Sequence, residues 1–440
     1  MRVLVIGGGG RECAAVDAFG RSGSEIYALM KNANPGIISK VAGYSLADER
    51  DTEKVLEFAL KNKIELAFVG PEAPLEAGVT DVLEKAGIPC ASPTKSAARI
   101  ETSKAFMRDL LDRYGIKGNL GHASFDNAED AEKYLKTVDH EIVVKPVGLT
   151  GGKGVKVQGE HLRNFEETMD YVNEIFDNNI GGAGVILEEK AVGEEFTQMV
   201  FCDGKNIASL PLVQDHKRAY EGDTGPNTGG MGSYSDADHL LPFLTEKDRL
   251  DALTILKDIV AAMEKEGCPY RGTMYGQFML TKTGPKIIEI NARFGDPEAM
   301  NVLPILEDSF EEICAGMASG SLPKNIRFGK KATVCKYVVP RGYGTKSESG
   351  HAIDVDSAAV EKCGSRAFYA NVDMKDGKIV TGTSRSVGVV GIAGTIEKAN
   401  ENCECALKHV VSDAVFVRHD IGARELINRR IEHMKEIRGE

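Results

Sequence analysis

KIIEINARFGDPEAM, residues 286–300, carries the reading that decides the fold. In an extended strand the side chains alternate, so Glu289 and Asn291 share one face while Ile288 and Ile290 turn to the other, into a core. Two oxygen donors side by side suit a hard cation such as Mg²⁺, which takes few protein ligands and completes its shell with substrate phosphates. Arg293 and Asp296 follow at once, a cation for a transferring phosphoryl group and a carboxylate for an amine. An ordinary exposed strand face would account for Glu-x-Asn by itself. What argues for a phosphate site is the company this segment keeps.

Working outward, 13 of the 48 glycines fall in three loops, at 7–10, 148–154 and 222–232, each beside a lysine, an arginine or a carboxylate. In VVKPVGLTGGKGV, residues 143–155, Gly148, Gly151, Gly152 and Gly154 separate two expected strands. Such a loop can wrap an anion with backbone amides and Lys153, and Lys145 at the strand end can reach a phosphate oxygen. It is not a Walker A motif, because Gly154 follows Lys153 and position 147 is not glycine. QDHKRAYEGDTGPNTGGMGSY, residues 214–234, sets Asp215, His216, Lys217, Arg218, Glu221 and Asp223 ahead of a glycine turn, a costly loop unless solvated or functional. The first cluster follows a strand and opens a helix, but the dinucleotide pattern GxGxxG is broken at Glu12, and Met30-Lys31-Asn32 supplies no acid for a ribose. A nicotinamide dehydrogenase is therefore disfavoured. The turn can still aim N–H groups and a helix amino end at a phosphate, or be a tight turn with no ligand.

The 440 residues suggest about three domains. The pattern at 1–103 is strand–helix alternation, hence βαβ units and a parallel sheet, with strands at 2–6, 25–30 and 66–69 and helices at 11–22, 53–62 and 75–86. Thr102 is the expected cap of the next helix. Residues 104–328 read as a central domain with a small α+β lobe at about 119–189 and longer strands at 274–280 and 286–290. Residues 329–440 read as a small α+β domain. Acidic residues exceed basic ones by 12, which excludes a general nucleic-acid or anionic-membrane surface. Nine cysteines without a CxxC pair fit reduced thiols and a cytoplasmic protein. The opening MRVLVIGGGG is too short for a signal peptide, and no apolar run is long enough for a membrane span.

With these segments in hand, the sequence resembles the phosphoribosylamine–glycine ligases (glycinamide ribonucleotide synthetases) of purine biosynthesis, in the ATP-grasp superfamily. GGGGREC, VGPEAPLEAGV, SPTKSAARIETSKAFM, DTGPNTGGMG, NARFGDPE and RHDIGAREL carry the likeness along the whole chain. It implies an α/β and α+β fold: an N-terminal parallel-sheet domain, a two-lobed ATP-grasp domain and a small C-terminal domain. ATP is then expected between the lobes, with Lys104 and Lys145 near its phosphates and Gly148, Gly151, Gly152, Lys153 and Gly154 closing over them. Glu188 and the backbone at Ala191 match the hinge that reads adenine, and Glu195 the acid that binds ribose. Glu289 and Asn291 match ligands of Mg²⁺ or Mn²⁺, with Gln277 a third. Arg293 should meet the γ-phosphate, with Asp215 and Lys153 also at the reacting centre. Glu72, Asp296 and the turn Gly9, Gly10, Arg11, Glu12 should hold 5-phosphoribosylamine; Asp215 with Asn227, Thr228, Gly229, Gly230, Met231 and Gly232 should hold glycine. The expected protein is a monomer or homodimer. A formate- or bicarbonate-using ligase of the same superfamily, or a silent ATP-binding protein, is the alternative. The chain departs from the commoner family pattern at Cys13, where most relatives carry histidine, in the 143–155 loop, and in the last domain.

Overall fold

The computed structural model describes residues 1–150, 154–182 and 184–440; Gly151, Gly152 and Lys153 of the expected phosphate loop lie outside the described residues. The amino-terminal sheet is parallel throughout, in the order Gly43–Leu46, Glu25–Met30, Arg2–Ile6, Leu66–Val69. Val3, Leu4, Val5 and Ile6 are all fully buried, as a parallel strand covered on both faces requires. The carboxyl ends of Arg2–Ile6 and of its neighbour Leu66–Val69 deliver residues 7–10 and Glu72 to one end of the sheet, where α/β proteins bind ligands.

Two helix expectations are corrected. The single helix at 75–86 is two, Glu72–Ala77 and Val79–Lys85, because Gly78 takes φ 88° and breaks the hydrogen-bond ladder. Thr102 ends a helix, Lys95–Thr102. The cap of the next one, Lys104–Arg113, is Ser103, whose extended backbone lets its hydroxyl accept from Phe106 N–H.

Beyond Ser103 lie two sheets. The smaller runs His122–Phe125, Val185–Glu189, Ile142–Pro146, Lys156–Val157. It has its own core, including Leu135, Ile142, Val144, Val172, Ile175 and Leu187, under the helices Ala128–Leu135 and Phe165–Asp177. The larger is antiparallel, in the order Ile207–Ser209, Glu194–Asp203, Arg271–Thr281, Gly284–Asn291. A third sheet runs Gln214–Asp215, Gly232–Ser235, Ala332–Pro340, Val387–Ala393, Ser365–Tyr369. The charged loop and glycine turn, residues 216–231, are thus slung between two strands that join the sheet of the carboxyl-terminal segment.

The expectation of reduced thiols is corrected for one pair. Cys363 and Cys405 form a disulfide, 42 residues apart, tying the end of the helix Ser357–Lys362 to the helix Ile396–Leu407. Residue spacing held no sign of it, since only the packing of these two helices brings the sulfurs together. Cys13 is a buried core thiol pushed up to about 12 by burial, which makes it inert.

Candidate active site

The larger sheet brings the deciding segment into register with its neighbours: Gln277 lies opposite both Thr197 and Glu289, and Tyr275 opposite Asn291. Asn291 Nδ2 donates to Glu289 Oε1 at 3.1 Å, so the two do share a face. The expected core partners need one correction. A bulge leaves Ile288 unpaired between Gln277–Glu289 and Phe278–Ile287, so Ile287 and Ile290 take the core positions and Ile288 stays half-buried. The bulge also frees the Ile288 carbonyl, which accepts from Lys145 Nζ at 3.1 Å and Arg108 Nη2 at 3.3 Å.

At this end the site is cationic. Arg108, wholly buried, grips Glu188 with both arms of its guanidinium (2.9 and 3.0 Å), and Lys145 Nζ lies 2.7 Å from the same carboxylate. Burial opposes ionisation of Glu188, but the two cations overcome it and hold the carboxyl at about 2. Lys104 Nζ donates to the Gly148 carbonyl at 2.7 Å, and burial, with Lys145 nearby, lowers its affinity for a proton. Three cations around one carboxylate leave an excess of positive charge facing the loop that contains Gly148. The Glu188 carboxylate is committed to Arg108 and Lys145.

The opposite end has the reverse imbalance. Glu195, Asp215 and Glu289 surround one lysine, Lys217, whose Nζ is 2.9 Å from Glu195 Oε2. Burial raises the Asp215 carboxyl, and Glu195 and Glu289 raise it further against the pull of Lys217. Glu289 stays ionised more easily, since Lys217, Lys145 and Lys104 outweigh its burial. Glu298, from the same GDPE run as Asp296, is buried and forms no ion pair among the described residues; burial first and Asp215 second push it up to about 7. Its Oε1 accepts from Tyr275 Oη at 3.0 Å. Gln277 gives its amide oxygen to Tyr275 and Thr197 and turns Nε2 toward Glu195 (2.8 Å) and Asp215 (3.4 Å). Gln277 thus turns its nitrogen, not its oxygen, toward these carboxylates, and the Asn291 amide oxygen accepts from Arg293 Nη2 at 3.4 Å. Among the described residues no group of three or more His, Cys, Asp or Glu is placed to hold a metal by itself.

Arg293 bridges the two ends. Its Nη2 lies 3.0 Å from Glu101 Oε1 and its Nε 3.4 Å from Glu72 Oε2. Glu101, whose other oxygen accepts from Ala292 N–H at 2.6 Å, is pushed up to about 7 by burial in spite of that arginine. The 7–10 turn is closed from beneath by Glu12, which accepts from Gly9 N–H at 2.7 Å and pairs with Arg11 Nε at 2.6 Å. A β-carbon at Gly70 would collide with that carboxylate. One amide that sequence reasoning left for a phosphate is thus used internally, and Gly10 packs against the Tyr337 hydroxyl. In the glycine turn, Thr228 N–H and Oγ1 both bind the Lys217 carbonyl at 2.8 Å, and Met231 N–H binds the His216 carbonyl. The Met231 side chain is in the core, so only its backbone faces the site. His216 faces away from Asp215 and Lys217; it is buried, held neutral by burial at about 3, and neither ring nitrogen has a partner among the described residues.

Arg108, Glu101, Lys217, Tyr337, Arg385 and Glu298 were not singled out as site residues from sequence. Lys217 had a signal, the Asp-x-Lys spacing that puts 215 and 217 on one face. Arg108, Tyr337 and Arg385 had none, because each reaches the site across a different element.

A two-lobed structure with buried lysines beside Gly148 and oxygen donors on a facing strand defines an ATP-grasp enzyme. The fold is shared at 14% identity with a biotin carboxylase of Campylobacter jejuni, TM-score 0.75, covering 99% of this chain and 98% of that one. The chain matches three phosphoribosylglycinamide synthetase domains in succession: the N domain over residues 1–101, the ATP-grasp (A) domain over 102–299 and the C domain over 333–424. It belongs to the phosphoribosylglycinamide synthetase family. It is 51% identical to a phosphoribosylamine–glycine ligase of Methanothermobacter thermautotrophicus over all of both chains. To that of Methanobrevibacter smithii it is 49% identical, over 99% of this chain and 100% of the other. A crystal structure of a phosphoribosylamine–glycine ligase from Thermotoga maritima superposes with TM-score 0.82 at 27% identity, covering 96% of this chain and all of the other. No described helix is long and apolar enough to cross a membrane.

Proposed function

We propose that the chain joins glycine to 5-phosphoribosylamine at the expense of ATP, by way of glycyl phosphate, yielding glycinamide ribonucleotide, ADP and phosphate. The observation that carries this reading is the polarity of the site: surplus cations at Lys104, Lys145 and Arg108, and surplus carboxylates at Glu195, Asp215, Glu289 and Glu298, on either side of one strand face. Lys104 and Lys145 hold the ATP phosphates beneath the 148–154 loop. Arg293, already fixed by Glu101 and Glu72, meets the transferring phosphoryl group. Asp215 and the 227–232 turn hold glycine with its carboxylate toward that group. Asp296, Glu72 and the 9–12 turn present the attacking amine. No nucleophilic side chain is needed, because in-line placement and charge neutralisation supply the rate.

Glu289 and Asn291 would hold Mg²⁺ or Mn²⁺, which when bound neutralises phosphate charge. The acyl phosphate must be kept from water, and the small lobe with its separate core is the element suited to cover it. The test is ADP release with ATP, glycine, freshly made phosphoribosylamine and Mg²⁺, each omitted in turn. Full dependence on both substrates is expected. Turnover that ignores glycine, or runs equally on formate or bicarbonate, sinks the reading, and no turnover at all leaves only a silent nucleotide-binding protein.

A further inference from the structure

Arg385 comes from the carboxyl-terminal segment, yet it reaches Asp296 and the glycine turn. Its Nη1 donates to the carbonyls of Gly229 (2.6 Å), Gly230 (3.3 Å) and Asp296 (2.6 Å), and its Nη2 lies 3.5 Å from Asp296 Oδ1. The guanidinium stands 4.6 Å over the Tyr337 ring, and the Tyr337 hydroxyl donates to the same Asp296 Oδ1. Asp296 Oδ2 takes no hydrogen bond among the described residues and faces the Gly9 turn. One carboxylate oxygen is thus clamped by two groups and the other is left for a ligand.

Three carbonyls gathered around a single guanidinium nitrogen are more than fold maintenance requires. Two of them belong to the glycine turn and one to the segment after the strand face, so this one side chain hydrogen-bonds to both pieces where Gly230 lies against Pro297. Only a planar, always-charged fork backed by an aromatic ring meets that geometry; a lysine offers a point charge on a flexible stem. We propose that Arg385, with Tyr337 behind it, is a positioning residue that locks the 229–230 turn and Asp296 into one unit, so that Asp296 Oδ2 is aimed at the amine-bearing substrate. This rests on the assignment of Asp296 to that substrate.

The test separates the two half-reactions. Glycine activation is followed without phosphoribosylamine by trapping the acyl phosphate with hydroxylamine, and the amine step by kcat/KM for phosphoribosylamine. In Arg385→Ala the amine step is expected to fall about 100-fold while hydroxamate formation falls less than about tenfold, as displacement of an orienting carboxylate predicts. Millimolar methylguanidinium should restore at least about tenfold of the amine step, and Arg385→Lys should recover little of it. An amine step within about threefold of wild type, or equal loss of both steps without guanidinium rescue, overturns the proposal. If the wild-type enzyme forms no hydroxamate from glycine, the functional reading fails first, and the role of Arg385 falls with it.

Discussion

Glu188 and Glu298 are the same residue type, exposed by only 1% and 2%, and close to the two ends of one site. Glu188 faces Arg108 and Lys145 and is held at about 2, while Glu298 faces a tyrosine and other carboxylates and is held at about 7. Burial is equal; company decides. At the cationic end the charges are nearly satisfied within the protein, with a remainder that suits phosphate. At the acidic end they are left unsatisfied, as a place meant for a cation or an amine must be. The first end is built for stability and the second for chemistry, and mutations should separate them.

The largest effect is expected at Glu289, where the two ends meet. Glu289→Ala should lower kcat by about 10³-fold or more, since the charge that neutralises phosphate loses its holder. Its melting temperature should stay within a few degrees, about the shift that 1 kcal/mol produces, because no core cavity is made. ADP release and a thermal melt on the same sample decide it; a stable, active variant would break the comparison.

Glu188→Ala should do the opposite. It strands the buried Arg108 beside Lys145, a kind of loss that costs about 3–5 kcal/mol, readable in urea unfolding. The pH dependence has a definite sign. A carboxyl depressed from 4.5 to about 2 contributes its full stability above pH 4.5 and loses it as pH falls toward 2. The wild-type protein should therefore lose stability in that acid window, and Glu188→Gln, though less stable at neutral pH, should show a shallower fall.

Glu298 supplies the mirror image. Its carboxyl is raised from 4.5 to about 7, so the folded state binds the extra proton and stability falls as pH rises through that interval. Glu298→Gln keeps the hydrogen bond from Tyr275 and removes the penalty, so at pH 8 it should be stabler than wild type by on the order of 2 kcal/mol, with less turnover. Equal stability of the two proteins from pH 5 to pH 8 would place a cation beside Glu298 that the structure does not show.

How much of this division was legible in the sequence follows from its physics. Strand parity put Glu289 and Asn291 together, and the glycines at 229–232 marked a turn, because both signals are local. The bulge at Ile288 was not legible: it depends on how Arg271–Thr281 pairs with Gly284–Asn291, and it moved Ile287 into the core position expected of Ile288. Arg108 looked like any polar residue on an amphipathic helix, and only its docking against Val185–Glu189 gives it the Glu188 carboxylate. Arg385 lies 89 residues from Asp296, which it clamps. Pairings of that separation belong to topology, and the one disulfide escaped notice for the same reason.

The smallest effect is expected where the same kind of pair stands in water. Arg218, next to Lys217, lies 2.8 Å from Glu160 of the small lobe, with the two side chains 28% and 44% exposed. The distance falls among those of the buried contacts around Glu188, 2.7 to 3.0 Å, but solvent screens the charges, both side chains lose rotamer freedom in pairing, and an unpaired partner can return to water. Glu160→Gln should therefore cost no more than about 0.5 kcal/mol, and less in high salt. Because this contact joins the lobe to the 216–231 segment that follows Asp215, its effect should show instead in KM for ATP, as a change of about twofold with kcat unaltered. A stability loss as large as that of Glu188→Ala would mean that this exposed pair is held as tightly as the buried one, and solvent exposure would no longer separate the two kinds of contact.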